Sequence, residues 1–229
     1  GGIVMVSFSD LSMLFIGLEI LSISMYVLAG SDKLNLRSNE SALKYFMMGA
    51  FATGFLLFGI ALIYGTTASF NLRKIAMFVG EHRESLPTMF YAGIIMMLVG
   101  LLFKVSAAPF HFWAPDVYDG APTVITAFMA TIVKTAAFAA FYRLFSTCFS
   151  SVFEWWTEII AVVSAITMLL GNIIAVYQTS VKRMLAYSSI AHAGYMLMAL
   201  VALNQSSQGA LLLYAAAYSI STLGVFSVL

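Results

Sequence analysis

Two charged residues lie near the centres of strongly apolar stretches, where they could carry protons across a membrane. Lys134 is central in residues 122–145, and Glu19 is almost central in residues 11–30. A central lysine costs about 2.5 to 3.5 kcal/mol on membrane insertion scales. Such residues are rare, and they mark ion or proton pathways when they occur. The simpler alternative for Glu19 is a structural salt bridge.

Lys104 is the third candidate, because it precedes a break in an apolar segment. The passage FKVSAAPFHFWAPD places Pro109 shortly after this lysine. Proline removes a backbone donor and disturbs the preceding turn. A broken helix is tolerated at membrane depth only against protein or water, and helix breaks of this kind form ion sites in transporters. Glu19 would favour the charged lysine if the two were close, and His111 could brace the break by bonding a freed carbonyl.

Lys44 and His192 are weaker candidates with equally simple structural explanations. Lys44 lies near the start of its apolar segment, so snorkelling to the interface is as good an explanation as function. His192 shares a predicted helix face with Ser188 and Tyr195, where a hydrogen-bonded core histidine is the alternative. The last helix has a similar polar stripe, which predicts hydrogen bonds between helices: Tyr214, Tyr218 and Ser221.

The composition identifies an integral membrane protein. Hydrophobic residues make up 62% of the 229 residues and charged residues only 9%, against about 45–50% and about 25% in soluble domains. The formal net charge of +1 gives no basic excess to attract nucleic acid. The single cysteine, Cys148, forms no internal disulfide and no cysteine-based metal site. We therefore expect any redox centre to belong to another chain.

The elements that must position these charges are membrane-spanning helices in one domain, residues 1–229. A helix needs about 20 residues to cross the hydrocarbon layer, and no stretch shows the alternation of a barrel strand. Both ends are expected to be cut, with residues 1–8 as the tail of a further span. Residues 31–41 and 71–87 are predicted loops. The seven predicted spans are 11–30, 42–65, 88–117, 122–145, 155–177, 184–203 and 208–229.

Several motifs resemble one known family. The segment FKVSAAPFHFWAPDVYDGAPTVITAFMATIVKTAAF, residues 103–138, is similar to the hallmark segment of the proton-pumping membrane subunits of respiratory complex I and their antiporter relatives. The chain resembles one of the three pumping subunits more than its two siblings, which usually carry a Trp-Glu pair where this chain has Leu18–Glu19. The segments that carry this closer likeness are residues 14–30, 42–65, 116–122 and 180–200.

The resemblance implies an antiporter-like fold of fourteen helices with two inverted five-helix repeats at its centre. This chain would run from the tail of helix four into helix eleven, with a second broken helix beyond residue 229. Matching the family motif residue by residue gives four proton-translocating positions and two further polar positions. The four are Glu19, Lys104, Lys134 and His192, and the two are Lys44 and His111.

The function implied by the resemblance is proton translocation within an NADH:quinone oxidoreductase, so the enzyme is the complex and this chain is one subunit. No cofactor is expected here, since NADH, FMN, the iron–sulfur clusters and quinone would bind other subunits. Expected partners are sibling antiporter-like subunits, protons and the lipid bilayer, most simply the bacterial inner (cytoplasmic) membrane, without nucleic acid. Two alternatives stay open: a subunit of a multi-subunit cation/proton antiporter, and a structural membrane scaffold.

Overall fold

The protein is built from α-helices and short connections. A computed structural model describes residues 1–229 and contains no β-sheet. The prediction of an all-α transmembrane bundle with a broken helix is confirmed. In chain order the helices are α1 (Gly2–Ser7), α2 (Leu11–Ala29), α3 (Leu36–Thr67), α4 (Leu72–Glu81), α5 (Thr88–Lys104), α6 (Trp113–Gly120), α7 (Thr123–Phe128), α8 (Lys134–Cys148), α9 (Phe153–Val176), α10 (Val181–Ala202) and α11 (Ser207–Phe226).

Six continuous helical segments are long and apolar enough to cross a membrane. The predicted third span, 88–117, is divided into α5 and α6, with residues 105–112 outside both helices. The predicted fourth span contains α7, a π-helical stretch at Met129–Val133, and then α8, in one continuous rod. The six long segments are Leu11–Ala29, Leu36–Thr67, Thr123–Cys148, Ser150–Val176, Val181–Ala202 and Ser207–Phe226.

The predictions of loops at residues 31–41 and 71–87 were partly wrong, because each range contains helical residues. Residues 36–41 form the first turns of α3, where the buried hydroxyl of Ser38 donates to the Ala29 carbonyl at 2.7 Å. Residues 72–81 form α4, whose first amides donate to the side chain of Asn71. Its apolar residues are too few for a span, so a search for long apolar stretches overlooks a short helix that buries only one face.

Small residues let neighbouring helices approach closely. In α9, a Cβ added to Gly171 would lie 2.6 Å from the backbone nitrogen of Ala191 in α10. In α3, a Cβ on Gly59 would lie 2.8 Å from the carbonyl oxygen of Gly93 in α5. Contacts of this type replace the hydrophobic effect as the source of helix association in lipid. They hold α5, which ends at Lys104, against α3, and they hold α10, which carries His192, against α9.

Candidate functional site

Lys104 is the last residue of α5, and it is buried against two hydroxyl groups. Its side chain is only 5% exposed. The Nζ atom donates to Ser22 Oγ of α2 at 2.8 Å and lies 3.5 Å from the Tyr45 hydroxyl of α3. A cation at this depth requires compensating hydrogen bonds. Neutral oxygens provide them, so the lysine does not depend on a permanently paired carboxylate.

Glu19 lies on the same helix as Ser22 but forms no ion pair with Lys104. The glutamate is half-buried. Residues three apart in a helix are neighbours on one face, so Glu19 and Ser22 both belong to the face of α2 that meets Lys104. The structure therefore places a neutral hydroxyl, and not this carboxylate, in direct contact with the lysine.

The break after Lys104 extends over residues 105–112, which is more than the single turn that one proline disturbs. Ser106 has a left-handed backbone with φ of 62°, a conformation that is uncommon for a residue with a side chain. Two side chains satisfy backbone groups freed by the break. The Trp113 indole donates to the Phe103 carbonyl at 3.0 Å, and the Ala108 amide donates to Thr167 Oγ1 of α9 at 2.9 Å. Tertiary contacts thus hold the break open.

His111 lies within the break, and its ring has unused hydrogen-bonding capacity. It is 6% exposed, and its Nδ1 atom has no hydrogen-bond partner. The hydroxyl of Ser106, also buried, has no partner either. Buried polar groups of this kind are usually satisfied by a bound molecule, most often water. The break therefore contains two buried polar groups, on Ser106 and His111, within seven residues of Lys104 in the sequence.

Thr167→Val should destabilise the break, because the Ala108 amide would lose its only acceptor while the side-chain shape stays almost the same. We expect a loss of about 1–3 kcal/mol, the usual cost of a buried unsatisfied donor. Thr167→Ser keeps the hydroxyl and is the matched control. The measurement is the thermal unfolding midpoint of the full-length protein in its complex. Equal midpoints for the valine and serine variants would show that this hydrogen bond does not hold the break.

Lys134 is anchored to α10 through one serine. Its side chain is 2% exposed, and the Nζ atom donates to both the carbonyl oxygen, at 2.7 Å, and the hydroxyl of Ser189. The π-helical stretch Met129–Val133 ends directly before the lysine. Irregular turns of this type often occur at functional sites. No carboxylate pairs with Lys134, so its environment repeats the pattern of Lys104.

His192 lies one turn after Ser189 in α10 and reaches α11. Its Nδ1 atom is 2.7 Å from the Tyr214 hydroxyl, and its ring centroid is 4.8 Å from that of Tyr218. The predicted neighbour Tyr195 also packs on the ring, at 5.7 Å between centroids. Tyr214 belongs to the polar stripe on the last helix that was predicted to form hydrogen bonds between helices. It is the direct partner of His192.

Lys44 lies at one end of the bundle, in a cluster of ion pairs. Its Nζ atom is 2.7 Å from both Glu40 and Asp116, and Arg183 contacts the same aspartate at 2.8 Å. The Lys44 side chain is 39% exposed, so each exposed pair contributes little to stability. The cluster joins α3, α6 and α10 at the polar rim. Tyr45, which follows Lys44 directly, extends inward to Lys104.

Sequence reasoning missed every direct partner of the buried lysines. Hydroxyl residues are frequent in α2 and α10, so nothing in the sequence distinguishes Ser22 or Ser189 from the rest. No group of three or more histidine, cysteine, aspartate or glutamate side chains is arranged to hold a metal ion. The missed residues are Ser22, Tyr45, Asp116, Thr167, Arg183 and Ser189.

Comparisons with known proteins agree on one family. A model of the family described as NADH:quinone oxidoreductase/Mrp antiporter, TM, matches residues 9–229. The NADH-quinone oxidoreductase subunit N of Cytophaga hutchinsonii is 52% identical over 97% of this chain and 48% of its own length. The subunit N of Flavobacterium psychrophilum is 48% identical over 100% of this chain and 50% of its own. The chain thus spans about half the length of these relatives.

Solved structures show the same architecture. A chain of respiratory complex I from Thermus thermophilus, solved with bound aureothin, superposes with a TM-score of 0.80 at 39% identity. The superposition includes 97% of the present chain and 48% of the Thermus chain. A chain of the Mrp complex from Dietzia superposes with a TM-score of 0.84 at 24% identity, covering 95% of this chain and 40% of its own. The second likeness concerns the fold alone.

Proposed function

Because the chain belongs to the NADH:quinone oxidoreductase/Mrp antiporter transmembrane family, we propose that its full-length protein is a proton-translocating membrane subunit of an NADH:quinone oxidoreductase. The family membership confirms the resemblance predicted from the sequence. Curated relatives at 44% to 52% identity are named subunit N, the pumping subunit whose motifs the chain resembles. The chain itself is a multi-pass bacterial membrane protein.

The observation that carries the proposal is that the two buried lysines have similar surroundings, with neutral hydrogen-bond acceptors and no carboxylate partner. Each ammonium group donates only to neutral oxygens, Lys104 to Ser22 and Tyr45, and Lys134 to Ser189. An amine in such a site can release its proton without leaving a carboxylate buried and unpaired. If a lysine in a buried salt bridge released its proton, its carboxylate partner would be left charged and unpaired. This difference favours proton exchange over a purely structural charge.

The proposed path uses the hydroxyl partners as proton carriers between titratable groups. A hydroxyl both donates and accepts a hydrogen bond, so Ser189 can pass a proton to or from Lys134. One turn further along α10, His192 and Tyr214 extend the polar groups toward α11. Glu19, on the same face of α2 as Ser22, would adjust the charge at Lys104. The cluster around Lys44 would be the polar rim from which protons reach Lys104.

Electron transfer is proposed to occur in other subunits of the complex. NADH, FMN, iron–sulfur clusters and quinone would bind there, while this chain responds to the redox reaction through its neighbours in the membrane. The proposed neighbours are the sibling antiporter-like subunits. The alternative of a multi-subunit cation/proton antiporter has weaker support, because the Mrp chain shares 24% identity with this chain, well below the subunit N relatives.

One experiment separates these functions: proton uptake by vesicles that contain the complete complex with the full-length subunit. Uptake driven by NADH and blocked by a quinone-site inhibitor supports the proposed function. Uptake driven by a sodium gradient without NADH would identify an antiporter. NADH-driven uptake that is unchanged in Lys104→Met would mean that the buried charges are a scaffold and would overturn the proposed role.

A further inference from the structure

A basic pocket lies at the end of the bundle where α3 finishes and α4 begins, away from the buried lysines. Its volume is about 760 Å³, and it lies among α1, α4, α8 and α11. Arg73 of α4 and Arg143 of α8 line it, together with polar side chains that include Asn71, Ser146 and Gln208. We call this feature the arginine pocket. Its size suits a molecule rather than a single ion.

The charge of the arginine pocket is not balanced within the chain. No acidic residue lines it, and neither arginine belongs to any ion pair. The Arg73 side chain makes no hydrogen bond, whereas Arg143 donates to the Val6 carbonyl at 3.3 Å and lies over the Phe8 ring. Asp10, whose backbone pairs with that of Asn71, does not itself line the pocket, and its carboxylate accepts from the Ser12 hydroxyl and from the Met13 amide of α2. Two unpaired guanidinium groups in one pocket attract an anion.

The other wall of the arginine pocket is apolar and continues onto the side of the bundle. Ala139 of α8 and Leu211 and Leu212 of α11 line it, and Leu212 is 55% exposed. Tyr91 and Trp155, whose rings lie 4.8 Å apart at the start of α5 and α9, are also at this end. Aromatic residues of this kind concentrate at the level of lipid headgroups. The pocket thus combines two arginines with an apolar wall that includes the exposed Leu212 of α11.

We propose that the arginine pocket binds the phosphodiester headgroup of an anionic phospholipid, with the acyl chains lying along α8 and α11. The guanidinium groups match phosphate oxygens in a bidentate geometry, and the neighbouring amide and hydroxyl groups can bond the glycerol part. Basic pockets between membrane helices recognise anionic headgroups by this chemistry. The other candidate occupant is a helix from the part of the full-length relatives that this chain does not span, and the labelling test below distinguishes the two.

The test uses the complete complex with the full-length subunit, in vesicles that contain photoactivatable phosphatidylglycerol. Labelled peptides of α8 and α11 are quantified by mass spectrometry. The variant Arg73→Gln/Arg143→Gln should lower labelling about 25-fold, from about fivefold for each arginine near a headgroup. Arg83→Gln removes the same charge at the same end, outside the pocket, and should leave labelling unchanged. Arg73→Lys/Arg143→Lys keeps the charge and should retain most of it.

Competition in the wild-type complex tests the proposal without any substitution. Unlabelled phosphatidylglycerol should displace the probe, and phosphatidylcholine should displace it far less. Displacement by millimolar inorganic phosphate alone would identify free phosphate as the ligand and overturn the lipid assignment. Absence of labelling in the wild type would mean that another part of the protein fills the pocket. Equal labelling of the glutamine and wild-type complexes would also overturn the proposal.

Discussion

Lys134→Met should leave the complex assembled while NADH-driven proton uptake falls on the order of 100-fold, the scale on which a positioned acid or base acts. Methionine is similar in length, so it fills the site and avoids a cavity. Removing a buried charge also relieves a burial cost instead of creating one. The loss should therefore appear in transport and not in assembly. The measurement compares initial uptake rates with the amount of assembled complex.

Two further variants separate proton exchange at Lys134 from a structural charge. Lys134→Arg keeps a positive charge, but a guanidinium group does not release its proton under physiological conditions. We expect this variant to be as impaired as the methionine variant. Lys33→Met removes a lysine from an exposed turn and should behave as the wild type. Full uptake in Lys134→Arg would show that the residue contributes only its charge.

Glu19 and Lys104 should behave as one functional unit in a double-mutant cycle. Lys104→Met is expected to reduce proton uptake on the order of 100-fold, and Glu19→Gln by a smaller factor. The double variant should be no worse than Lys104→Met, because the carboxylate acts by adjusting the charge of a lysine that is no longer present. Non-additive effects of this kind measure coupling between two residues. The cycle is read from uptake rates normalised to assembled complex.

Two single variants serve as references for the double-mutant cycle. Ser22→Ala should give an intermediate loss, since the ammonium group of Lys104 would lose its 2.8 Å acceptor but keep its charge. Glu158→Gln removes an exposed carboxylate of α9 and should have no effect. If the effects of Glu19→Gln and Lys104→Met multiply in the double variant, the two residues act independently and the proposed coupling is wrong.

Composition and local pattern were sufficient to predict the helical architecture. A chain with 62% hydrophobic residues must satisfy its backbone within each segment, so long apolar stretches become helices. The same reasoning was insufficient for α4, which contributes only one buried face to the bundle. It also placed a break at Pro109 without giving its width, because Thr167 and Trp113 hold the break from other helices.

The sequence by itself determined which groups are charged and which of them lie in apolar surroundings. Lys104, Lys134 and Glu19 stand out because the cost of a charge in lipid depends on the residues immediately around it. The family resemblance added the roles expected of those positions.

Only the tertiary structure decided which partners these charges have. Lys104 bonds Ser22 across 82 positions of sequence, Lys134 bonds Ser189 across 55, and Lys44 bonds Asp116 across 72. Such contacts depend on the register and depth at which helices pack, which small residues spread over several helices fix together. A hydroxyl has no sequence signature of its own until a neighbouring helix brings an ammonium group within reach. For this reason the direct neighbours of the buried lysines became known only from the fold.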